Sequence, residues 1–187
     1  IENINMSKTA EVADLALSLK EHGHKIINMA SGELSFKPAF SIRNEACRTI
    51  NKGETLYTQV VGLNKLRKLI GVKLKKDLKI KYGCDEIIVS NGGKQVIYNA
   101  MQSTINKGDE VIIISPYWVS YPEIIKICGG KPKVLNTIRK EGFSINTERL
   151  EKLITSKTKW IILNSPNNPT GVVYSSETIR KLVMLLR

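Results

Sequence analysis

The fold is indicated most clearly by residues 110–115, which read Glu-Val-Ile-Ile-Ile-Ser. This apolar run follows a Lys-Gly-Asp turn at 107–109 and precedes a segment, 119–128, with the apolar spacing of a helix. A short, continuous apolar run between such signals is typical of a strand buried on both faces of a parallel sheet. We therefore predict a β-strand at 110–115 in the interior of an α/β protein.

Similar apolar runs recur on both sides of this strand and alternate with helical segments. We predict further strands at 26–30, 86–90, 133–136 and 159–164. The predicted helices cover 8–22, about 40–51, a lysine-rich segment that ends near 83, a segment from the NGGKQ loop to 105, 119–128, 147–154, and a last segment from about 175. Strands that alternate with helices favour a wound α/β sheet over a β-sandwich.

The composition is that of a globular protein. Of the 187 residues, 42% are hydrophobic and 25% are charged, which argues against a disordered chain. No apolar run approaches the roughly 20 residues that a membrane-spanning helix needs. The first residues also lack the basic and apolar parts of a signal peptide. We expect a cytoplasmic protein with no membrane contact.

The formal net charge of +12 allows two interpretations. Such an excess can attract nucleic acid, and a nucleic-acid or nucleotide-phosphate binding module is one alternative. In and just before the basic run 65–81, however, apolar residues recur at helical spacing, namely Leu63, Leu66, Ile70, Leu74 and Leu78. The lysines would then form the solvated face of a packed helix. We favour this second interpretation and expect no nucleic-acid partner, although the positive field would attract phosphates and dicarboxylates.

The cysteines do not indicate a metal centre. Cys47, Cys84 and Cys128 form no CxxC pair, and His22 and His24 are the only histidines. Structural zinc sites use four ligands that are mostly cysteine and histidine. We therefore predict no metal site, and none of the three cysteines is expected to be catalytic.

Three unusual loops each follow the end of a predicted strand. They are NGGKQ at 91–95, PYW at 116–118 and NSPNNPTG at 164–171. In open α/β sheets, ligands bind beside the carboxyl ends of the strands. We expect these loops to line one binding site.

Each loop has a possible role in binding, and the first two also have a plainer alternative. The glycines at 92 and 93 would let an anion approach the start of a helix, but they also suit a tight turn without a ligand. Neither GxGxxG nor GxxxxGK[ST] is present. Trp118, with Tyr117 and Tyr121, could face a flat heterocycle or could simply pack in the core. In the third loop two prolines would hold an asparagine amide in one place.

Together these motifs resemble a known family. NSPNNPTG, SNGGKQ, SPYWVSYPE and the earlier SGE at 31–33 are similar, in order and spacing, to the class I aminotransferases of the aspartate aminotransferase family. Within that family, the bacterial aspartate/prephenate aminotransferases are the subgroup most resembled. The resemblance implies the fold of fold-type I pyridoxal-phosphate enzymes, with a wound α/β large domain, here incomplete, and a small N-terminal segment. It implies domains at 1–38, part of the small domain, and 39–187, part of the large one.

The resemblance also implies how the cofactor, pyridoxal 5′-phosphate, would be bound. Gly93 and Lys94 would supply backbone donors to its phosphate. Trp118 would stack on its pyridine ring, and Asn168 would bond to the 3-oxygen of that ring. Tyr57 would reach the phosphate of the neighbouring subunit in a homodimer.

The implied reaction is transamination between an acidic amino acid and a 2-oxo acid. Gly32, Trp118 and Asn168 would help to bind the substrate, and Lys94 would favour an acidic side chain. One departure concerns 32–36, which read GELSF where the family commonly has GEPDF. This difference puts the shape of the segment that covers the substrate in question.

No residue of this sequence is predicted to be catalytic. In the family, the lysine that forms a Schiff base with the cofactor, an aspartate and a carboxylate-binding arginine all come later than Arg187. The sequence stops within a predicted helix, which suggests truncation, so we expect the chain alone to be inactive. The alternative is a catalytically dead or split-gene product that serves only as an interaction module.

Overall fold

The computed structural model describes residues 8–30 and 32–187. These residues form two compact units, one of residues 8–30 with 97–187 and the other of residues 32–96. The described helices are α1 Lys8–Glu21, α2 Phe40–Asn51, α3 Asn64–Leu78, α4 Gly93–Gln102, α5 Ser120–Ile127, α6 Thr147–Leu153 and α7 Ser176–Leu185. The strands are β1 Glu110–Ser115, β2 Lys131–Asn136 and β3 Thr158–Ile162.

The first unit contains a parallel sheet with strand order β2-β1-β3. The central strand β1 has the predicted bounds, and Val111, Ile112 and Ile113 in it are fully buried. Because a parallel sheet covered on both faces hides its middle strand completely, this strand needs apolar residues at successive positions. The predicted strands at 133–136 and 159–164 are confirmed as β2 and β3, with ends shifted by one or two residues.

Successive residues of β1 pack into different cores because side chains alternate across a strand. Val111 and Ile113 belong to a cluster that also contains Met101 of α4, Tyr121, Ile124 and Ile125 of α5, and Cys128. Ile112 and Ile114 belong to a second cluster with Leu135, Ile145, Leu150 of α6, Tyr174 and Leu182 of α7. Helices α5 and α7, which follow the loops that begin at 116 and 164, are thus held on one well-packed sheet.

Two helices of this unit begin with side-chain caps. The Asn146 side chain accepts a hydrogen bond from the backbone N–H of Arg149 at 2.8 Å, before α6. The Ser175 hydroxyl accepts from the N–H of Thr178 at 3.1 Å, before α7. Such caps satisfy N–H groups that have no acceptor within the helix.

In the second unit, Arg67 makes hydrogen bonds to segments on both sides of α3. Arg67 of α3 donates to the carbonyl oxygens of Gly62 at 3.1 Å and Cys84 at 2.7 Å, and to Gln59 Oε1 at 3.0 Å. These bonds draw the segments before and after α3 onto the helix. Gly62 has φ +96°, and a Cβ there would lie 2.7 Å from Cβ of Val89, so the approach of these segments requires glycine.

Two predicted strands are wrong. Residues 26–30 and 86–90 form no β-strand, although Ile87 is buried. Val89 N–H donates to the Val61 carbonyl at 3.1 Å, but no ladder follows from this bond. An apolar run becomes a strand only where a second strand pairs with it, and the described residues place no such partner beside either run.

Two predicted helix ends are also wrong. The basic helix α3 ends at Leu78 and not near Gly83, because Lys79 adopts the left-handed conformation with φ 60°. Helix α4 ends at Gln102 and not at Ile105. The apolar stripe predicted on α3 is only partly covered, since Ile70 and Leu74 are half-buried while Leu66 is exposed.

No helix in the described part of the chain is both long and apolar enough to cross a membrane. The same residues contain no cluster of three or more histidine, cysteine, aspartate or glutamate side chains that could hold a metal ion.

Candidate functional site

Polar side chains line the carboxyl ends of the strands in the first unit. Ser115, the last residue of β1, donates through Oγ to Asn136 Oδ1 at 3.2 Å, at the end of β2. The Thr137 hydroxyl donates to the Ser115 carbonyl. The loops 116–119 and 163–175 leave from this edge, after β1 and β3 respectively. The predicted position of two of the three loops, at a sheet edge where α/β proteins bind ligands, is confirmed.

Trp118 is half-buried between β1 and α5. Its ring and that of Tyr121 make a T-shaped contact, with centroids 5.5 Å apart and planes at 88°. Tyr121 is buried, and desolvation raises the pKa of its hydroxyl. Trp118 also packs against the cluster that contains Met101 and Ile113. The indole therefore packs in the core, as the plainer interpretation predicts, and keeps some exposed surface, while its stacking on a heterocycle stays a prediction.

The loop 164–171 is held by its own hydrogen bonds. Asn167 N–H donates to the Val172 carbonyl at 2.9 Å, and Gly171 N–H donates to the Asn167 carbonyl at 2.8 Å. The Asn164 carboxamide, oriented by its partners, donates to the Pro166 carbonyl at 3.1 Å and accepts from Asn168 N–H at 3.0 Å. Asn168 itself is exposed. The loop thus fixes the backbone of Asn168 and leaves its amide accessible.

Three X-Pro peptide bonds around these loops are cis, namely Ser115-Pro116, Ser165-Pro166 and Asn168-Pro169.

The two loops of this unit are joined by a residue that sequence reasoning did not single out. Asn167 donates through Nδ2 to the carbonyl oxygen of Pro116 at 3.3 Å. Asn164 was also overlooked, although its carboxamide holds Asn168. The available signal was the repetition of asparagine in the loop, because several amides in one short turn suggest hydrogen bonds within it.

The NGGKQ loop lies in the second unit and leads into α4. Gly92 has φ +83°, and α4 begins at Gly93. The Gln95 side chain folds back and accepts from Asn91 N–H at 2.6 Å. A Cβ added at Gly92 or at Gly93 would meet no atom within 4 Å. The backbone at this helix start is therefore open to close approach, and such a start suits an anion such as phosphate.

Gly32 is an exposed residue and Tyr57 a fully exposed residue of the second unit. A Cβ at Gly32 would likewise meet nothing within 4 Å. Ser31 of the SGE motif lies outside the described residues. The structure therefore brings Trp118 and Asn168 together in one compact unit, whereas Gly32, Tyr57, Gly93 and Lys94 belong to the other.

The family model of the "Aminotransferase class I and II" matches residues 24–187. Among curated proteins, the chain is 45% identical over 184 residues, 98% of its length, to a probable aspartate/prephenate aminotransferase of Rickettsia bellii, of which it covers 46%. It is 41% identical over 186 of its 187 residues to a protein of the same name from Rhizobium leguminosarum bv. phaseoli, of which it again covers 46%. The chain thus spans about half the length of the curated relatives it matches.

Solved structures agree with the sequence matches. Aspartate aminotransferase from Thermus thermophilus with maleate superposes with a TM-score of 0.94 at 36% identity, over 98% of this chain and 48% of that one. The enzyme from Thermotoga maritima gives a TM-score of 0.93 at 39% identity, over 98% of this chain and 49% of that one. The chain therefore has part of the α/β fold of fold-type I pyridoxal-phosphate enzymes, and it belongs to the class I and II aminotransferase family.

Proposed function

We propose that this chain is the cofactor-binding part of an enzyme that exchanges an amino group between an acidic amino acid and a 2-oxo acid. One observation carries the proposal. In a chain of this family, Asn167 joins the loop that bears Asn168 to the loop that bears Trp118, at the carboxyl ends of β1 and β3. An amide donor and an aromatic face at one sheet edge suit a flat, polar heterocycle.

The proposed cofactor is pyridoxal 5′-phosphate, which supplies an electron sink for amino-acid chemistry when bound. The backbone N–H groups of Gly93 and Lys94 would hold its phosphate. The open space at the two glycines supports this assignment, since a Cβ added at Gly92 or at Gly93 would meet no atom within 4 Å. The partial positive charge at a helix start would add roughly 0.3–1 kcal/mol for a charged group.

Trp118 and Asn168 would orient the ring of the cofactor. The T-shaped contact with Tyr121 fixes the indole plane, and a fixed aromatic face stacks at little cost in conformational entropy. Asn168, whose backbone is held by Asn164, would donate to the oxygen on the ring. These two residues would also contact the substrate.

The proposed substrates are dicarboxylic. Gly32 would offer its backbone N–H to the main carboxylate, and the side chain of Lys94 would favour a second, acidic group. The Thermus thermophilus relative was solved with maleate, a dicarboxylate, and several relatives are named for aspartate. The net charge of +12 also favours acidic ligands.

We further propose that the working protein is a cytoplasmic homodimer. Tyr57 is fully exposed in the described chain, as a residue that reaches a neighbouring subunit would be before assembly.

The domain boundary between 38 and 39 remains a prediction, because the compact units group the chain by contact and not by domain.

Catalysis itself is proposed to need residues in the half of the relatives that this chain does not span. The proton transfers of transamination require a general base near the substrate, and the family places its lysine there. A split-gene or catalytically dead interaction module is the second candidate. It is favoured by the many large apolar side chains exposed in α1 to α3, such as Leu15, Ile42 and Leu69.

An assay of aspartate and 2-oxoglutarate, coupled to malate dehydrogenase and supplied with pyridoxal 5′-phosphate, tests this proposal. We expect no turnover from purified 1–187, and turnover from a polypeptide extended to the length of the relatives. Turnover by 1–187 alone would refute the need for the remaining half. An extended polypeptide that binds the cofactor but stays inactive would favour the interaction module.

A further inference from the structure

We propose that Asn167 is a positioning residue that locks the loop bearing Trp118 to the loop bearing Asn168. The inference rests on the proposed function only for the roles of those two residues. The coupling between the loops is a property of the chain itself and can be measured without a cofactor.

The bond from Asn167 Nδ2 to the Pro116 carbonyl is the geometric basis. Its acceptor lies two residues before Trp118, so the bond holds the turn from which the indole projects. The donor comes from a side chain whose own backbone is fixed on both sides. Asn167 N–H donates to Val172 at 2.9 Å, and the Asn167 carbonyl accepts from Gly171 at 2.8 Å. The side chain therefore starts from a defined position.

The surroundings of Oδ1, the other polar atom of the Asn167 carboxamide, indicate that Nδ2 is the atom through which this side chain acts. Asn167 Oδ1 is buried, and none of the described residues donates to it. Leaving a buried acceptor unpaired is unfavourable. The contribution of the residue must therefore come from its N–H₂ group, which an isosteric aspartate lacks. An aspartate would also place a carboxylate where none of the described residues donates to Oδ1.

The adjacent asparagines have different surroundings. Asn168 is exposed, and its backbone N–H is satisfied by Asn164. Asn167 instead turns its side chain toward the neighbouring loop. One asparagine thus holds the loops together while the next presents its amide to solvent. A change at 167 should move Trp118 without unfolding the sheet.

Fluorine NMR of the chain labelled with 5-fluorotryptophan tests this directly, because the protein has only two tryptophans. Trp118→Phe assigns the signals. Trp160 on β3 is an internal reference for the fold of the same unit, since its Nε1 donates to Thr104 Oγ1 at 3.0 Å. In Asn167→Asp we expect the Trp118 signal to move or broaden by more than its line width, and the Trp160 signal to stay.

Asn106→Asp is the matched control, because it makes the same chemical change at an exposed side chain in the turn before β1. Both signals should stay in that variant. If Asn167→Asp unfolds the protein, Asn167→Ala removes the donor without adding charge and should again move only the Trp118 signal.

The proposal is overturned if both signals stay in a folded variant at 167, or if both move together, because the residue would then be neutral or merely structural. Failure of pyridoxamine phosphate to bind the wild-type chain would count against the proposed function and leave this result unaffected.

Discussion

Gly92 and Gly93 are adjacent glycines that differ in backbone conformation. Gly92 has φ +83°, a backbone conformation that residues other than glycine adopt only at a cost in free energy. Gly93 begins α4 without a positive φ. Both have open space where a Cβ would be. Glycine can therefore be required here for two reasons. The turn requires it at Gly92, and access of a ligand to the backbone would require it at either position.

Replacing each glycine by alanine should distinguish these requirements. Gly92→Ala should lower the free energy of unfolding by about 1–2 kcal/mol, the usual cost of a left-handed residue. Gly93→Ala should leave that free energy unchanged or raise it by up to about 1 kcal/mol, since alanine favours a helix over glycine. Urea unfolding measures both values.

The binding of pyridoxamine 5′-phosphate should respond differently. Gly93→Ala should weaken it, because the new methyl group would occupy the space through which the phosphate approaches. An unchanged dissociation constant in this stable variant would show that the phosphate does not bind at the start of α4.

At the scale of the elements, the amino ends of the strands carry a polar network of their own. Glu110, the first residue of β1, accepts a hydrogen bond from the Thr155 hydroxyl at 2.7 Å and lies 3.7 Å from Lys133 Nζ on β2. The bond from Thr155 lowers the pKa of Glu110, and the positive charges of Lys133 and Lys157 act in the same direction, against desolvation. The network joins β1 to β2 and to the turn before β3.

Thr155→Val should raise the pKa of Glu110 toward its ordinary value. Because the folded-state pKa is the lower one, the ionised Glu110 stabilises the fold above the unfolded-state pKa of about 4.3. This contribution disappears as the pH falls through the folded-state pKa. The variant should therefore be less stable than the wild type at neutral pH, with a smaller difference in acid.

Carboxyl titration by NMR and unfolding at several pH values measure these effects. Thr49→Val on α2, in the other compact unit, is the matched control and should leave the titration of Glu110 unchanged. A Glu110 pKa that does not respond to loss of the Thr155 hydroxyl would show that this bond is not its main determinant.

The strands that were predicted correctly are those that pair with other predicted strands, all within residues 110–162. The runs that became β1, β2 and β3 pair with one another, so their apolar pattern and their structure agree. The runs at 26–30 and 86–90 have a similar pattern, yet strand formation depends on a neighbour that the pattern does not describe. The end of α3 depends on the left-handed Lys79, which the leucine spacing could not reveal.

In the candidate site, too, local sequence predicted some features and not others. The position of the loops after β1 and β3 followed from the predicted ends of those strands, and the exposed Asn168 lies in one of the loops. The bond from Asn167 to Pro116 spans 51 positions and joins two loops that are distant in sequence. No local pattern encodes such a contact, so the residue that couples the loops emerged only from the fold.

At the scale of the whole molecule, packing is concentrated in the unit that contains the sheet. The fully buried side chains, such as Met101, Ile125 and Leu150, all lie there. Helices α2 and α3 of the other unit contain no buried residue. This unit carries Gly93 and Lys94, and the chain spans about half the length of its relatives. Whether these 187 residues already recognise the cofactor is therefore the central question.

Titration of the chain with pyridoxamine 5′-phosphate, followed by tryptophan fluorescence, answers it most directly. This amine does not condense with lysines, so the titration reports binding alone. We predict a saturable change that inorganic phosphate reverses by competition and that Trp118→Leu abolishes, while Trp160 continues to report the fold. Absence of a saturable change, or an equal change in Trp118→Leu, would contradict the claim that this chain forms the cofactor-binding part of an aminotransferase.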